Sequence, residues 1–261
     1  MGKLVGAIII AAALQWSLPS VSAAAELSHK YGLELQLGGG MHLLTDINDY
    51  LPAANFAGIP PAEKMLVGTQ FGVGMLYRQE PGFGWQFGYN RFMNVVDQKF
   101  RITNAPSFPE SWAEQTLTGG EIYGLATWYF PWGGNELSFG AGPAIYTATM
   151  DRSIDIAQDG GSHITSGSFS DATGKSFGAL AAVGLELPLK EMVGLGIQVG
   201  GRFAKVGKIA YEDPNSAGND IAVSLNAASG SFLPVDYTGV FVKLSLRGYF
   251  RPKSDWRNPT R

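Results

Sequence analysis

Along most of this chain, apolar and polar residues alternate with a period of two. The clearest stretch is Tyr237–Phe250. There Val240, Val242, Leu244, Leu246 and Phe250 share one parity, and Gly239, Lys243, Ser245, Arg247 and Tyr249 share the other. A period of two marks a strand with one oily face and one wet face. Seven further segments read the same way: Tyr31–Leu44, Met65–Gln79, Phe83–Gln98, Leu117–Phe130, a fifth from Leu137 towards Ile156, Ser176–Leu189 and Val193–Lys205. Each is long enough for the roughly 9–11 residues that a tilted membrane strand requires. No helix-period pattern survives the Gly and Pro behind the N-terminal segment.

Faces can be assigned for nearly every segment. Leu33, Leu35, Leu37, Met41 and Leu43 oppose Glu34, Gln36, Gly38, Gly40 and His42; Trp85, Phe87 and Tyr89 oppose Gly84, Gln86, Gly88 and Asn90. The fourth segment is ambiguous, because Ile122 and Trp128 on one parity compete with Tyr123 and Leu125 on the other. Arg91 falls on an apolar face. A bulge between Asn90 and Met93 would swap its parity; otherwise it reaches to the headgroups.

The connections alternate in length. Short turns sit at Glu80-Pro81-Gly82, Pro131–Asn135 and Lys190–Met192, and long polar loops at Thr45–Lys64, Arg101–Thr116, Ala157–Lys175 and Ala210–Asp236. Short periplasmic turns opposite long extracellular loops are the layout of a transmembrane barrel. The prediction is an all-β chain: an eight-stranded antiparallel up-and-down transmembrane β-barrel with both termini periplasmic. Ile221, Val223 and Leu225 also alternate, and Arg152–Ala157 and His163–Phe169 flank a hairpin-like Asp159-Gly160-Gly161. These are expected as strand extensions above the membrane, with ten strands as the alternative.

Composition decides which way the barrel faces. Only 16% of residues are charged and 35 of 261 are Gly, against usual shares of about 25% and 7%. The polar faces carry Gly, Ser, Gln and Asn rather than the charges of a solvated exterior, so the polar side is a narrow lumen. At the N-terminus, Lys3 and the apolar Leu4–Leu14 run lead to small residues at Val21-Ser22-Ala23 and Ala23-Ala24-Ala25, the pattern of a cleavable signal peptide. The expected organisation is 1–25 leader, 26–250 barrel and 251–261 periplasmic tail. The absence of Cys excludes disulfides and an N-terminal lipid anchor, and a net charge of −3 points to no nucleic acid.

The leader, the eight amphipathic segments, the loop pattern and the aromatic end at Tyr249-Phe250 resemble the small OmpA/OmpW-like outer-membrane β-barrel superfamily. Two departures stand out: Arg251–Arg261 continues past the last strand, and no peptidoglycan-binding domain follows it. The resemblance implies an outer-membrane location in a didermic bacterium. It also implies outer-membrane lipids, lipopolysaccharide and the barrel-assembly machinery as partners; oligomeric state stays open.

One residue set follows from the parity and a second from position along the strands. Lumen charges are Glu34, Arg78, Glu186, Arg202, Lys243 and Arg247; strands one and eight close the ring, so Glu34 and Arg247 are expected in contact with Arg78 nearby. A periplasmic aromatic girdle is expected from Tyr31, Tyr77, Phe83, Trp85, Tyr129, Phe130, Trp132, Tyr249 and Phe250, at the headgroup level that suits such rings. Candidate chemistry is thin. His29 precedes the barrel, His42 faces the lumen with Asp46 and Asp49 near in sequence, and His163 lies beside Ser162 and Ser166. Asp151, Asp155 and Asp159 lack a Ca²⁺-loop spacing, and Gly140–Pro143 sits inside a strand. No catalytic residues, metal or cofactor are expected. The favoured function is a structural or surface-interaction barrel with a plugged lumen. A narrow channel for small or hydrophobic solutes and a lipid-modifying enzyme are the alternatives.

Overall fold

Eight long strands close into one antiparallel ring in a computed structural model that describes residues 31–50, 67–80, 82–100, 111–157, 163–165, 168–190, 192–212, 220–226 and 231–250. They are β1 (Tyr31–His42), β2 (Val67–Glu80), β3 (Phe83–Phe100), β4 (Ser111–Trp132), β5 (Asn135–Ala157), β6 (Phe169–Lys190), β7 (Val193–Val206) and β8 (Gly239–Phe250). Each pairs with its sequence neighbours, and β1 pairs with β8 from Tyr31↔Phe250 to His42↔Gly239. Closure leaves no open sheet edge, which a hydrocarbon environment requires. The expected leader, the 251–261 tail and His29 lie outside the described residues.

The barrel is inside out. Leu37, Val73, Phe87, Ile122, Val199 and Leu244 are exposed on the wall, whereas Gln36, Gln86, Asn90, Glu121, Gln198 and Ser245 are buried in the lumen. The ambiguity in β4 is resolved: Ile122 and Trp128 face out, Tyr123 and Leu125 face in. An eight-stranded ring is just wide enough for side chains to fill it. Inward glycines make the room: a Cβ on Gly88 would lie 2.4 Å from the Tyr123 hydroxyl, and one on Gly119 1.8 Å from the Phe92 ring. At one short turn the glycines serve the backbone instead. Gly133 and Gly134 have φ of 57° and 86° and join β4 to β5 as a two-residue loop, a turn that demands positive φ at both positions.

Several expectations are corrected. No bulge accompanies Arg91: pairing runs unbroken through Phe71↔Arg91, Gln70↔Phe92 and Thr69↔Met93, and Arg91 stays outward and exposed. The strands β4 and β6 also invade the predicted long loops, reaching Ser111 and Phe169, and β3 runs past its predicted end at Gln98 to Phe100. Backbone pairing can continue above the membrane with polar residues on both faces, so loss of hydrophobicity did not mark the strand ends.

The ring has eight strands, not ten. His163–Thr165 pairs with Asp155–Ala157 beyond the rim, and Ala210–Glu212 pairs with Asp220–Ala222. The segment after β1 is not all loop. Leu44, with φ of 43°, leads into a six-residue helix, α1 (Thr45–Tyr50). Leu44 and Ile47 are fully buried with Val206, Ile209, Val223, Leu233, Val235 and Tyr237 in an apolar cap over the long-loop end of the barrel. Backbone bonds stitch it together: Leu44 N–H to Asp236 O at 3.1 Å, Val223 N–H to Ile209 O at 3.0 Å and Leu233 N–H to Val223 O at 2.8 Å. Six residues are too few to show a helical period, and burial in the cap stabilises what local propensity does not.

Candidate functional site: the filled lumen

The inward faces of β1 to β8 build a continuous column of polar and aromatic side chains. It begins at the short-turn end. Arg78 donates from both terminal nitrogens to the two oxygens of Glu136, one bond measuring 2.8 Å, with its guanidinium 4.1 Å from the centre of the Tyr129 ring. The second layer is Glu186. It accepts from Tyr249 Oη and, at 2.6 Å, from Arg247 Nη1, and lies 3.8 Å from Arg78 Nη2.

Arg247 links this layer to the next, its Nε donating to Glu34 Oε2 at 3.2 Å. The two residues are direct cross-strand partners in the β1–β8 pairing. Glu34 also accepts from Gln36 and Gln86. Gln198 donates to Gln86 at 3.2 Å, Gln36 donates to Tyr123 Oη at 2.8 Å, and Lys243 Nζ donates to Gln36 Oε1 at 3.1 Å. Lys243 sits over aromatic rings, 5.0 Å from Tyr123 and 4.8 Å from Phe241.

Higher up, Arg202 reaches Gln70 Oε1 at 2.7 Å and lies 3.6 Å from Glu121, which also accepts from Asn90 at 2.6 Å. The Arg202 guanidinium is 5.0 Å from the Phe92 ring and 4.9 Å from Phe241. Above it His42 is wedged between Phe92 and Tyr237, with Nδ1 3.4 Å from the Tyr237 carbonyl. Polar column and apolar cap meet at this level.

All six lumen charges expected from the parity are buried in the column, each 5% exposed or less. Sequence reasoning missed Glu121 and Glu136. Glu121 lies on the ambiguous β4, and Glu136 stands beside a turn. A signal existed. Two acids against four bases is an unbalanced lumen, and buried ions need partners. Adding Glu121 and Glu136 makes four carboxylates face four cations.

The girdle is also revised. Tyr31, Trp85, Phe130, Trp132 and Phe250 are exposed on the wall near the short turns, and Tyr77 and Phe83 are half-buried beside them. Tyr129 and Tyr249 are instead in the lumen, 4% and 1% exposed. Period two forces this result: Tyr129 adjoins Phe130 and Tyr249 adjoins Phe250, so one member of each pair must turn in.

Little assembles as chemistry. Asp46 pairs with Lys205 at 3.1 Å and not with His42. Asp151 accepts from the Asp171 backbone N–H at 2.7 Å and Asp155 accepts from Trp112 Nε1 at 3.1 Å; Asp159 lies outside the described residues. No metal-ligating group of side chains forms among the described residues.

This architecture is that of an integral outer-membrane β-barrel, with apolar wall, polar lumen and closed ring. No family model and no curated protein matches the sequence. Among solved structures, the chain is similar to the outer membrane protein OprG from Pseudomonas aeruginosa, with a TM-score of 0.50 and 14% identity over 87% of this chain and 99% of that one. Neisserial surface protein A aligns with a TM-score of 0.37 and 13% identity, covering 84% and 96%. The outer membrane protein AlkL aligns with 0.35 and 13%, covering 91% and 97%. At such identities the likeness is one of fold: the chain has the fold of the small OmpA/OmpW-like barrels.

Proposed function

We propose that this protein works as a closed barrel with a structural or surface-interaction role, its lumen plugged along its length and its capped loops presented outside. Both termini then lie in the periplasm, the barrel-assembly machinery inserts the chain, and lipids and lipopolysaccharide surround it. The observation that carries this reading is the charge-balanced column from Arg78–Glu136 to Arg202–Glu121. Its members bond to one another across the barrel rather than standing apart around a pore. Refolded protein in a planar bilayer is expected to show no discrete conductance steps. Steps that are present in the wild type and grow with Arg247→Ala overturn the plug and make the column a gate.

One observation favours a narrow path for small hydrophobic solutes as the second reading. The β4–β5 pairing lapses between Tyr123↔Ala144 and Ala126↔Ala141, beside Pro143. Uptake of a hydrophobic solute into protein-bearing liposomes separates this reading from the first. An enzymatic reading has less support. The backbone of His163 pairs with Ala157 above the rim, and its loop neighbours Ser162 and Ser166 lie outside the described residues. A lipid-hydrolysis assay with His163→Ala tests it, and hydrolysis no greater than background ends it.

A further inference from the structure

The apolar wall stops along a defined line at its long-loop end. On β4 the outward residues pass from Ile122 to Gly120 and Thr118; on β5 from Ile145 to Thr147 and Thr149; on β6 from Phe177 to Lys175 and Thr173. The strand register aligns this edge into one row: Arg91 pairs with Gly120, Gly120 with Thr147, and Thr147 with Lys175. A cation stands at each end of the row, on the outer surface. Neither Arg91 nor Lys175 has an acidic partner among the described residues.

Between the cations the wall is low and hydroxylated. Gly120 has no side chain. The position its Cβ would occupy is 2.6 Å from Thr147 Oγ1 and 3.5 Å from Tyr89 Oη. Two hydroxyls therefore cover the buried Gly120 between two positive charges. Three strand intervals separate the ends, about 14 Å at the usual spacing. Strands in a barrel tilt, so the row slants across the wall. Arg91 has the apolar Met93 and Val95 beyond it on β3, two outward positions inside the oily band. A long guanidinium side chain there is stable when it reaches an anion at the headgroup level.

We propose that Arg91, Tyr89, Thr147 and Lys175 bind the phosphorylated disaccharide headgroup of a lipopolysaccharide in the outer leaflet. Each cation takes a phosphate, and the hydroxyls of Thr147 and Tyr89 that cover Gly120 face the sugar between them. The row lies at the edge of the membrane-facing wall, where phosphate arrives attached to lipid. This assignment rests on the reading of the long-loop end as the outer one.

The test uses the full chain refolded in detergent micelles and titrated with bis-phosphorylated or dephosphorylated lipid A, with bound lipid counted by native mass spectrometry. The bis-phosphorylated form is expected to bind more tightly, and Arg91→Gln and Lys175→Gln each to weaken it about tenfold, the scale of one charge-assisted hydrogen bond. Lys205→Gln, elsewhere on the outer surface, is expected to leave binding unchanged, and Arg91→Lys to recover part of it. Equal binding of both lipids, or wild-type binding by the double variant, overturns the assignment, as does complete displacement by millimolar inorganic phosphate. Loss of the heat-dependent gel shift in every preparation sinks the barrel reading itself, and this assignment with it; a barrel that shifts but does not discriminate sinks only the lipid site.

Discussion

Arg247 holds the middle of the column together, because it contacts the carboxylates of two layers, Glu34 and Glu186, at 3.2 and 2.6 Å, where Arg78 reaches its second carboxylate, Glu186, only at 3.8 Å. Its removal strands two buried anions, each of which has lost its best partner. Arg247→Ala is therefore expected to destabilise the barrel by about 3–5 kcal/mol, read from the urea midpoint of the heat-dependent gel shift. Lys205 forms the contrasting pair. Its contact with Asp46 is 3.1 Å long but solvent-exposed, and Lys205→Ala is expected to cost about 1 kcal/mol or less. Equal effects for the two substitutions would remove the distinction between buried and exposed charge on which the plug depends. Combining Arg247→Met with Glu34→Gln is expected to cost less than the sum of the two single changes, since each exposes the same lost partner.

Among the elements, β5 carries the clearest local irregularity. Pro143 has no N–H to donate, and the β4 pairing lapses opposite Gly142 and Pro143, where Gly124 and Leu125 stand. On the other side β5 keeps its register with β6, through Gly142↔Leu180 and Pro143↔Ala179. The wall thus has a weak line on one face of one strand. Pro143→Thr supplies a donor and a residue that suits an outward strand position. It is expected to slow amide exchange at Gly124 and Leu125 up to about tenfold, the scale of one net hydrogen bond. Unchanged exchange there would mean that the lapse arises from packing at Gly142, whose Cβ position lies 2.0 Å from the Gly124 carbonyl oxygen, and not from the missing donor.

At the scale of the molecule the interior is filled in two stages, by a polar column in the membrane-spanning part and by an apolar cap above it. They are held differently. The column rests on ion pairs between strands; the cap rests on burial of loop residues such as Leu44, Ile47, Val223 and Leu233. They should therefore fail separately. Ile47→Asp puts a charge among the buried apolar side chains of the cap, out of reach of water. It is expected to open the outer loops to protease while the heat-dependent gel shift persists. Loss of the shift in that variant would show that cap and wall fold as one unit.

Sequence alone determined the wall. Period two assigns a side to each residue without knowledge of its neighbours, so the eight strands, the inverted polarity and all six expected lumen charges were legible in it. The contact of Glu34 with Arg247 was legible for the same reason, since closure brings the first and last strands together. What lay beyond reach depends on partners distant in sequence. Glu121 needed the face of β4, which its own residues left ambiguous; Glu136 needed the depth of a turn. Tyr129 and Tyr249 were placed by where they fall along the strand when parity should have overruled position. α1 carries no period, the alternation at Ile221, Val223 and Leu225 did not announce a cap, and both exist because the ring offers an apolar mouth for loop residues to fill. Alternation is a local property of the backbone, whereas filling a space waits on the walls that enclose it.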